Sequence, residues 1–322
     1  MKKRSLTIVI LVILAVIIAV IVVDFLNNRP DRRGANPYAL DIDQYMEVDE
    51  ALISHKETRN FSLGSLTATG ICYHKNLLFL VGDSSLAVIS PGGSPLRISE
   101  IPPGPTCVEV DDTSVYIGYT HRVARFDREG NLVSQWTDLG ERSVVTSMAI
   151  KGERIYVADA GNRRVVIFNS EGGIEGEFEG KAVTEAGHGF IIPSPNFDVV
   201  VNGYGELWVV NPGKHALENY ADDGRMRGFW QNSSMEIEGF LGCCNPAEIT
   251  VREDGAFVTS EKGLVRIKIY DQSGTLISVV APPGLFKEEG KAPEVCVDSA
   301  GIIYALDFDR NVVRIFEPKE NG

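Results

Sequence analysis

Apolar positions in this chain fall into short runs of four to six residues, broken by polar, glycine-bearing turns, over most of its length after about residue 58. The clearest stretch is Ile155 to Phe168, reading Ile-Tyr-Val-Ala-Asp-Ala-Gly-Asn-Arg-Arg-Val-Val-Ile-Phe. Val157 and Ala158 lead into Asp159, Gly161 and Asn162, residue types that tolerate the left-handed or side-chain-bonded backbone of a tight turn. Val165 to Phe168 then begin a second strand, so the stretch predicts a β-hairpin. Asn169-Ser170-Glu171-Gly172 is the next turn, and Ile174 to Phe178 alternates as a third strand.

The unit recurs. An aromatic or Ile followed by a polar turn ending in Gly marks Ile89, Phe126, Phe168, Tyr220, Tyr270 and Phe316, at spacings of 37, 42, 52, 50 and 46 residues. About four strands per repeat at this period predict an all-β, six-bladed β-propeller. Blades are expected to start near Ala68, Thr106, Val145, Asn196, Ala247 and Pro293. The last repeat supplies only three strands, so the alternating stretch Asn60 to Leu66 is expected to complete it as the outer strand, which removes an open sheet edge. The ring thus spans residues 58–320 as one domain. Residues 41–54 read either as a short helix or as a strand beneath it.

Val157 to Phe168 closely resembles the core of the NHL repeat. Ile303 to Phe316 keeps its Asp, Asn and Arg, while Asn211 in blade 4 and Ser260 in blade 5 stand where blade 3 has Asp159. The resemblance covers about residues 58–318. It implies a six-bladed propeller without fixing an activity, because such rings serve as binding platforms and as enzymes.

Ahead of the ring, Met1-Lys2-Lys3-Arg4 precedes Leu6 to Val23, eighteen uncharged residues rich in Ile, Val and Leu. As a helix this run is about 27 Å long, close to the hydrocarbon thickness of a bilayer. Residues 1–5 read as a short cytoplasmic start and 6–23 as a transmembrane signal anchor, with a cleaved signal peptide as the alternative. Residues 24–57, with Pro30, Gly34 and Pro37, read as a linker. This arrangement makes a single-pass protein of the cell membrane with the propeller on the extracytoplasmic side. The formal net charge is −13, and removing the basic first 33 residues leaves −17. Such a body repels nucleic acid, so no nucleic-acid partner is expected.

Aligned on the turns that follow them, the innermost strands place Asp198, Glu248 and Glu294 in one column, with Ser147, Cys107 and Gly70 in the other blades. Innermost strands border the central channel, so three carboxylates from consecutive blades would stand near one mouth. There they can bind a hard cation, grip a cationic ligand, or accept backbone amides at the rim. Gly242-Cys243-Cys244-Asn245-Pro246 immediately precedes the strand of Glu248, which would bring a vicinal cysteine pair to the same mouth. Five cysteines cannot all pair within one chain. Cys72 and Cys296, in matching columns of neighbouring blades, read either as a disulfide or as two small core residues. The resemblance also points to lyases that hold a catalytic metal with histidines from several blades. His55, His74, His121, His188 and His215 match no such set, with His121 and His215 in hairpin turns and His188 near the start of blade 4.

The sequence therefore reads as a membrane-anchored scaffold that binds a protein or a small ligand through Cys243, Cys244, Asp198, Glu248 and Glu294. The alternatives are a metal-dependent lyase or lactone hydrolase, and thiol or soft-metal handling at Cys243-Cys244. The cofactor is unspecified.

Overall fold

The computed structural model describes residues 2–27, 45–180 and 189–319, and within the first of these it places side chains for 11–24 only. Half of the expected linker, and His188, lie outside the described residues. The chain divides into two compact units, Met1–Ile42 and Asp43–Gly322.

The second unit is a six-bladed β-propeller of six four-stranded antiparallel sheets. Their innermost strands are Ala68–His74, Pro105–Val110, Val145–Lys151, Val199–Val201, Glu248–Val251 and Glu294–Val297, within three residues of the expected starts. Each contacts the innermost strands of the blades on either side, including the sixth against the first.

The middle strands explain the continuous apolar runs. A radial sheet is covered on both faces by its neighbours, so both sides of Leu77–Gly82, Arg154–Asp159 or Ile303–Asp307 are buried. The core is accordingly a series of apolar clusters between blades, such as Phe79 and Val81 of blade 1 against Val108 and Ile117 of blade 2. Leu80 of blade 1 meets Leu306 and Val313 of blade 6 in the same way. All six anchors that set the repeat are buried.

Asp159 of the blade 3 hairpin is fully buried and shows what the repeat motif is for. Its Oδ1 accepts the amides of Val144 (3.0 Å) and Asn162 (3.2 Å), and its Oδ2 accepts Asn162 Nδ2 (2.8 Å) and Arg164 Nε (3.0 Å). One side chain thus ties the turn to the segment leading into its own blade. The left-handed residue of this turn is Arg163 rather than Gly161 or Asn162. Gly161 is needed because a Cβ there would stand 1.8 Å from the Arg142 carbonyl oxygen.

Asn211 plays the same part in blade 4, accepting the Ile191 amide at 2.9 Å. In blade 5 the position belongs to Glu261, one residue beyond Ser260, because Glu261 pairs across the hairpin with Arg266 as Asp159 pairs with Arg164. Glu261 bonds Arg266 Nε (2.9 Å) and Lys268 Nζ (2.8 Å) in a fully buried ion network.

The ring closes on the sixth blade, where an outer strand from early in the chain pairs antiparallel with Val312–Pro318. That strand is His55–Ser62 rather than 60–66. Its sequence is mostly polar and exposed, since an outermost strand buries little of itself, and so the alternation nearby was the stronger signal. Just before it a 3-10 turn covers Glu50–Leu52, and Ile53 bridges to Val279 of blade 5.

The first unit contains a helix, Lys2–Asn27. Among the described residues no helix is long and apolar enough to cross a membrane.

Candidate functional site

The channel inside the innermost strands holds a cavity of about 300 Å³, and among its lining residues are Cys107, Glu109, Ser147, Asp198 and Glu294. The column read from the sequence is organised as a belt in which a side chain of one blade accepts an amide of the next. Val199 N donates to Ser147 Oγ (3.3 Å), Ile249 N to Asp198 Oδ2 (2.6 Å), and Ile71 N to Glu294 Oε2 (3.1 Å). Ser147 Oγ in turn donates to Asp198 Oδ1. Asp198 and Glu294 therefore satisfy the otherwise unpaired inner edge of the neighbouring strand.

Glu248 stands apart. Its carboxyl is hydrogen-bonded to Asp198, and the two titrate together. Burial, opposed by the hydrogen bonds from Ser147, Ile249 and Val199, pushes the Asp198 carboxyl up to about 6. Burial and then the negative charge of Asp198 push Glu248 well above the usual carboxylate range, and the same two causes act on Glu294. Two carboxyls that share a site cannot both ionise cheaply, so Glu248 holds a proton toward Asp198.

The sequence reading missed Glu109. It lies two residues beyond the column position of its blade, and in a strand of period two it returns to the side that Cys107 occupies. Burial raises it to about 8. The signal that would have found it is a charged residue two positions beyond the column in an innermost strand.

Cys72, Cys107 and Cys296 are free and buried along the same strands, with thiols pushed up by burial. Of the two readings of Cys72 and Cys296, the structure has them as core residues. Among the described residues, no group of three or more His, Cys, Asp or Glu is placed to hold a metal ion.

The described histidines lie outside the cavity lining. His55 sits on the closing strand against the Gly301 carbonyl, and His74 ends its strand 3.1 Å from Asp112. His121 and His215 occupy turns, where they contact the Ser143 carbonyl and Ser233.

Cys243 and Cys244 sit in the loop that leads into Glu248–Val251, and neither is among the residues lining the cavity. Cys243 is exposed and Cys244 buried, with their sulphurs 3.1 Å apart. The loop is clamped. Asn245 Nδ2 donates to the carbonyls of Leu241 (2.6 Å) and Lys262 (3.1 Å), its Oδ1 accepts the Lys262 amide (3.0 Å), and His215 contacts the Gly242 carbonyl.

No family model matches the sequence, and no relative among curated proteins matches it. Solved structures do match in fold. The selenomethionine-substituted virginiamycin B lyase from Staphylococcus aureus aligns with a TM-score of 0.58 at 15% identity, over 82% of this chain and 100% of that one. A structural genomics protein of unknown function from Bacteroides thetaiotaomicron aligns with a TM-score of 0.58 at 17% identity, over 82% and 73%. The WD40 β-propeller domain of Doa1 aligns with a TM-score of 0.54 at 14% identity, over 79% of each chain. At these identities the likeness shows the β-propeller fold and nothing narrower.

Proposed function

We propose that this chain is a binding scaffold of the NHL kind whose channel takes a small cationic ligand, or a cationic side chain of a protein partner, among Glu109, Asp198, Glu248 and Glu294. The observation that carries this reading is that four carboxyl side chains from four blades gather in and beside one cavity whose lining residues include no Lys, Arg or His. Burial holds Glu109, Glu248 and Glu294 protonated near neutrality, and an arriving cation would replace those protons. A rigid ring that carries surface loops suits recognition.

Spermidine and putrescine are suitable probes at pH 8, where proton competition is weakest. A ligand that binds only the folded chain raises its thermal midpoint with concentration. The expected result is such a rise for the ring, reduced in Glu248→Gln and Glu109→Gln. A midpoint indifferent to both probes in the parent protein would sink the reading.

The scaffold is further proposed to be tethered to a membrane through residues 6–23, with the ring on the extracytoplasmic side. The support is the character of the first helix, where every large hydrophobic side chain described between Leu11 and Val23 is 47–62% exposed, so apolar surface covers the helix all round.

A further inference from the structure

The vicinal cysteines carry a second, separate chemistry. Cys244 is 2% exposed, and Lys262 Nζ, 3.0 Å from Ser194 Oγ, stands with that hydroxyl beside its sulphur. Three segments meet here: the segment leading into blade 4 brings Ser194, the middle hairpin of blade 5 brings Lys262, and the loop leading into blade 5 brings the cysteines. The Asn245 clamp binds the last two together. We propose that Cys243 and Cys244 form a dithiol that exchanges with disulfides, Cys243 accepting the mixed disulfide and Cys244 resolving it while Lys262 and Ser194 hold its sulphur. The substrate class is an accessible disulfide of a small molecule or an exposed peptide.

The division of labour follows from position. Only Cys243 is exposed, so only its sulphur can meet a disulfide from solution. Cys244 lies 3.1 Å behind it, about 1 Å from bonding distance. Burial opposes ionisation of Cys244, but hydrogen bonds from Ser194 and Cys243 and the Lys262 ammonium outweigh it and bring the thiol below its ordinary value. The bond to Cys244 raises Cys243 in turn, as expected for a thiol donating to a thiolate.

In the first step the Cys243 sulphur attacks one sulphur of R–S–S–R, its proton passes to the Cys244 thiolate, and one thiolate R–S⁻ leaves with the bonding pair. That thiolate, or solvent, takes the proton back from Cys244. The Cys244 thiolate then attacks the Cys243 sulphur of the mixed disulfide, expelling the second R–S⁻, which takes a proton from water. One disulfide is reduced to two thiols and the protein pair is oxidised to a disulfide, and an external thiol reverses the change.

The test is exchange of the full chain, first reduced with a phosphine, with an aromatic nitrobenzoate disulfide that releases one coloured thiolate per bond exchanged. The native protein should release two thiolates per chain, keep no adduct, and emerge two hydrogens lighter. Cys72, Cys107 and Cys296 are buried and should react only after unfolding. Cys244→Ser should release one thiolate and retain the adduct, and Cys243→Ser should release none. Lys262→Met should slow the second release about tenfold near neutrality, with recovery at higher pH, a dependence that a purely structural lysine would not show.

A native protein that keeps one or two adducts, or releases nothing, overturns the proposal without recourse to any variant. Because neither cysteine is among the cavity-lining residues, this outcome is independent of cation binding in the channel.

Discussion

Asp159 bonds four groups from complete burial, and so removing it strands the Val144 and Asn162 amides and the Asn162 carboxamide, while Arg164 keeps Glu177 and the Leu139 carbonyl. Asp159→Ala is expected to cost about 2–4 kcal/mol, from buried amides left unpaired at about 1–3 kcal/mol each, measured as loss of unfolding free energy in denaturant. Asp159→Asn keeps most of the acceptors and should cost less. Glu109 makes the opposite case, because burial disfavours its charge. With a folded value near 8 against an unfolded value of about 4.3, its protonation contributes stability fully present below about pH 4 and lost as pH rises through 8. Asp198 acts in the same direction up to about 6. His55, held below its ordinary value by burial, works against this trend only on the acid side of neutrality. The thermal midpoint of the ring should therefore fall between pH 7 and 8, above which Lys268, brought down to about 8 by burial, acts the other way, and Glu109→Gln should flatten that fall. A fall as steep in Glu109→Gln as in the parent would show that Glu109 is ionised in the folded chain.

At the level of elements, sequence pattern carried far where burial is two-sided and less far where it is not. The buried anchors and the apolar middle strands fixed the repeat, because a radial blade imposes the same demand on each copy. The blade 5 acceptor is Glu261 rather than Ser260, since the equivalent position is set by pairing across the hairpin and not by counting along the strand. Its cost is met by Arg266 and Lys268, which arrive from the next strand and are invisible to local reading. Glu109 escaped for a related reason: Cys107 filled the aligned column, and the second inward position of a strand is defined only once the register is known. The amide belt through Ser147, Asp198 and Glu294 depends on neighbouring blades some fifty residues or more apart, which no spacing rule reveals.

For the molecule as a whole, the first helix and the ring make separable predictions. If residues 6–23 tether the chain, the full-length protein should sediment with membranes and resist extraction by high salt and alkali, while residues 34–322 should stay in the supernatant. Recovery of the full-length chain in the salt wash would end the tether reading. The ring has its own vulnerability. Residues 55–62 pair with residues 312–318, some 250 positions later, whereas almost all other strands pair with a neighbour in sequence. Deleting residues 312–322 should leave an unpaired edge on blade 6 and an orphaned first strand, so the product should associate on a sizing column; a monodisperse monomer would argue otherwise.

The closing strand also has a history in time. During synthesis His55–Ser62 emerges before any blade and has no native partner until Val312–Pro318 follows at the other extreme of the ring. For nearly the whole of translation it is a single strand awaiting its mate, and its polar, charged composition keeps it from pairing with a stranger in the meantime. The sequence that looked least like a strand is the one best suited to waiting.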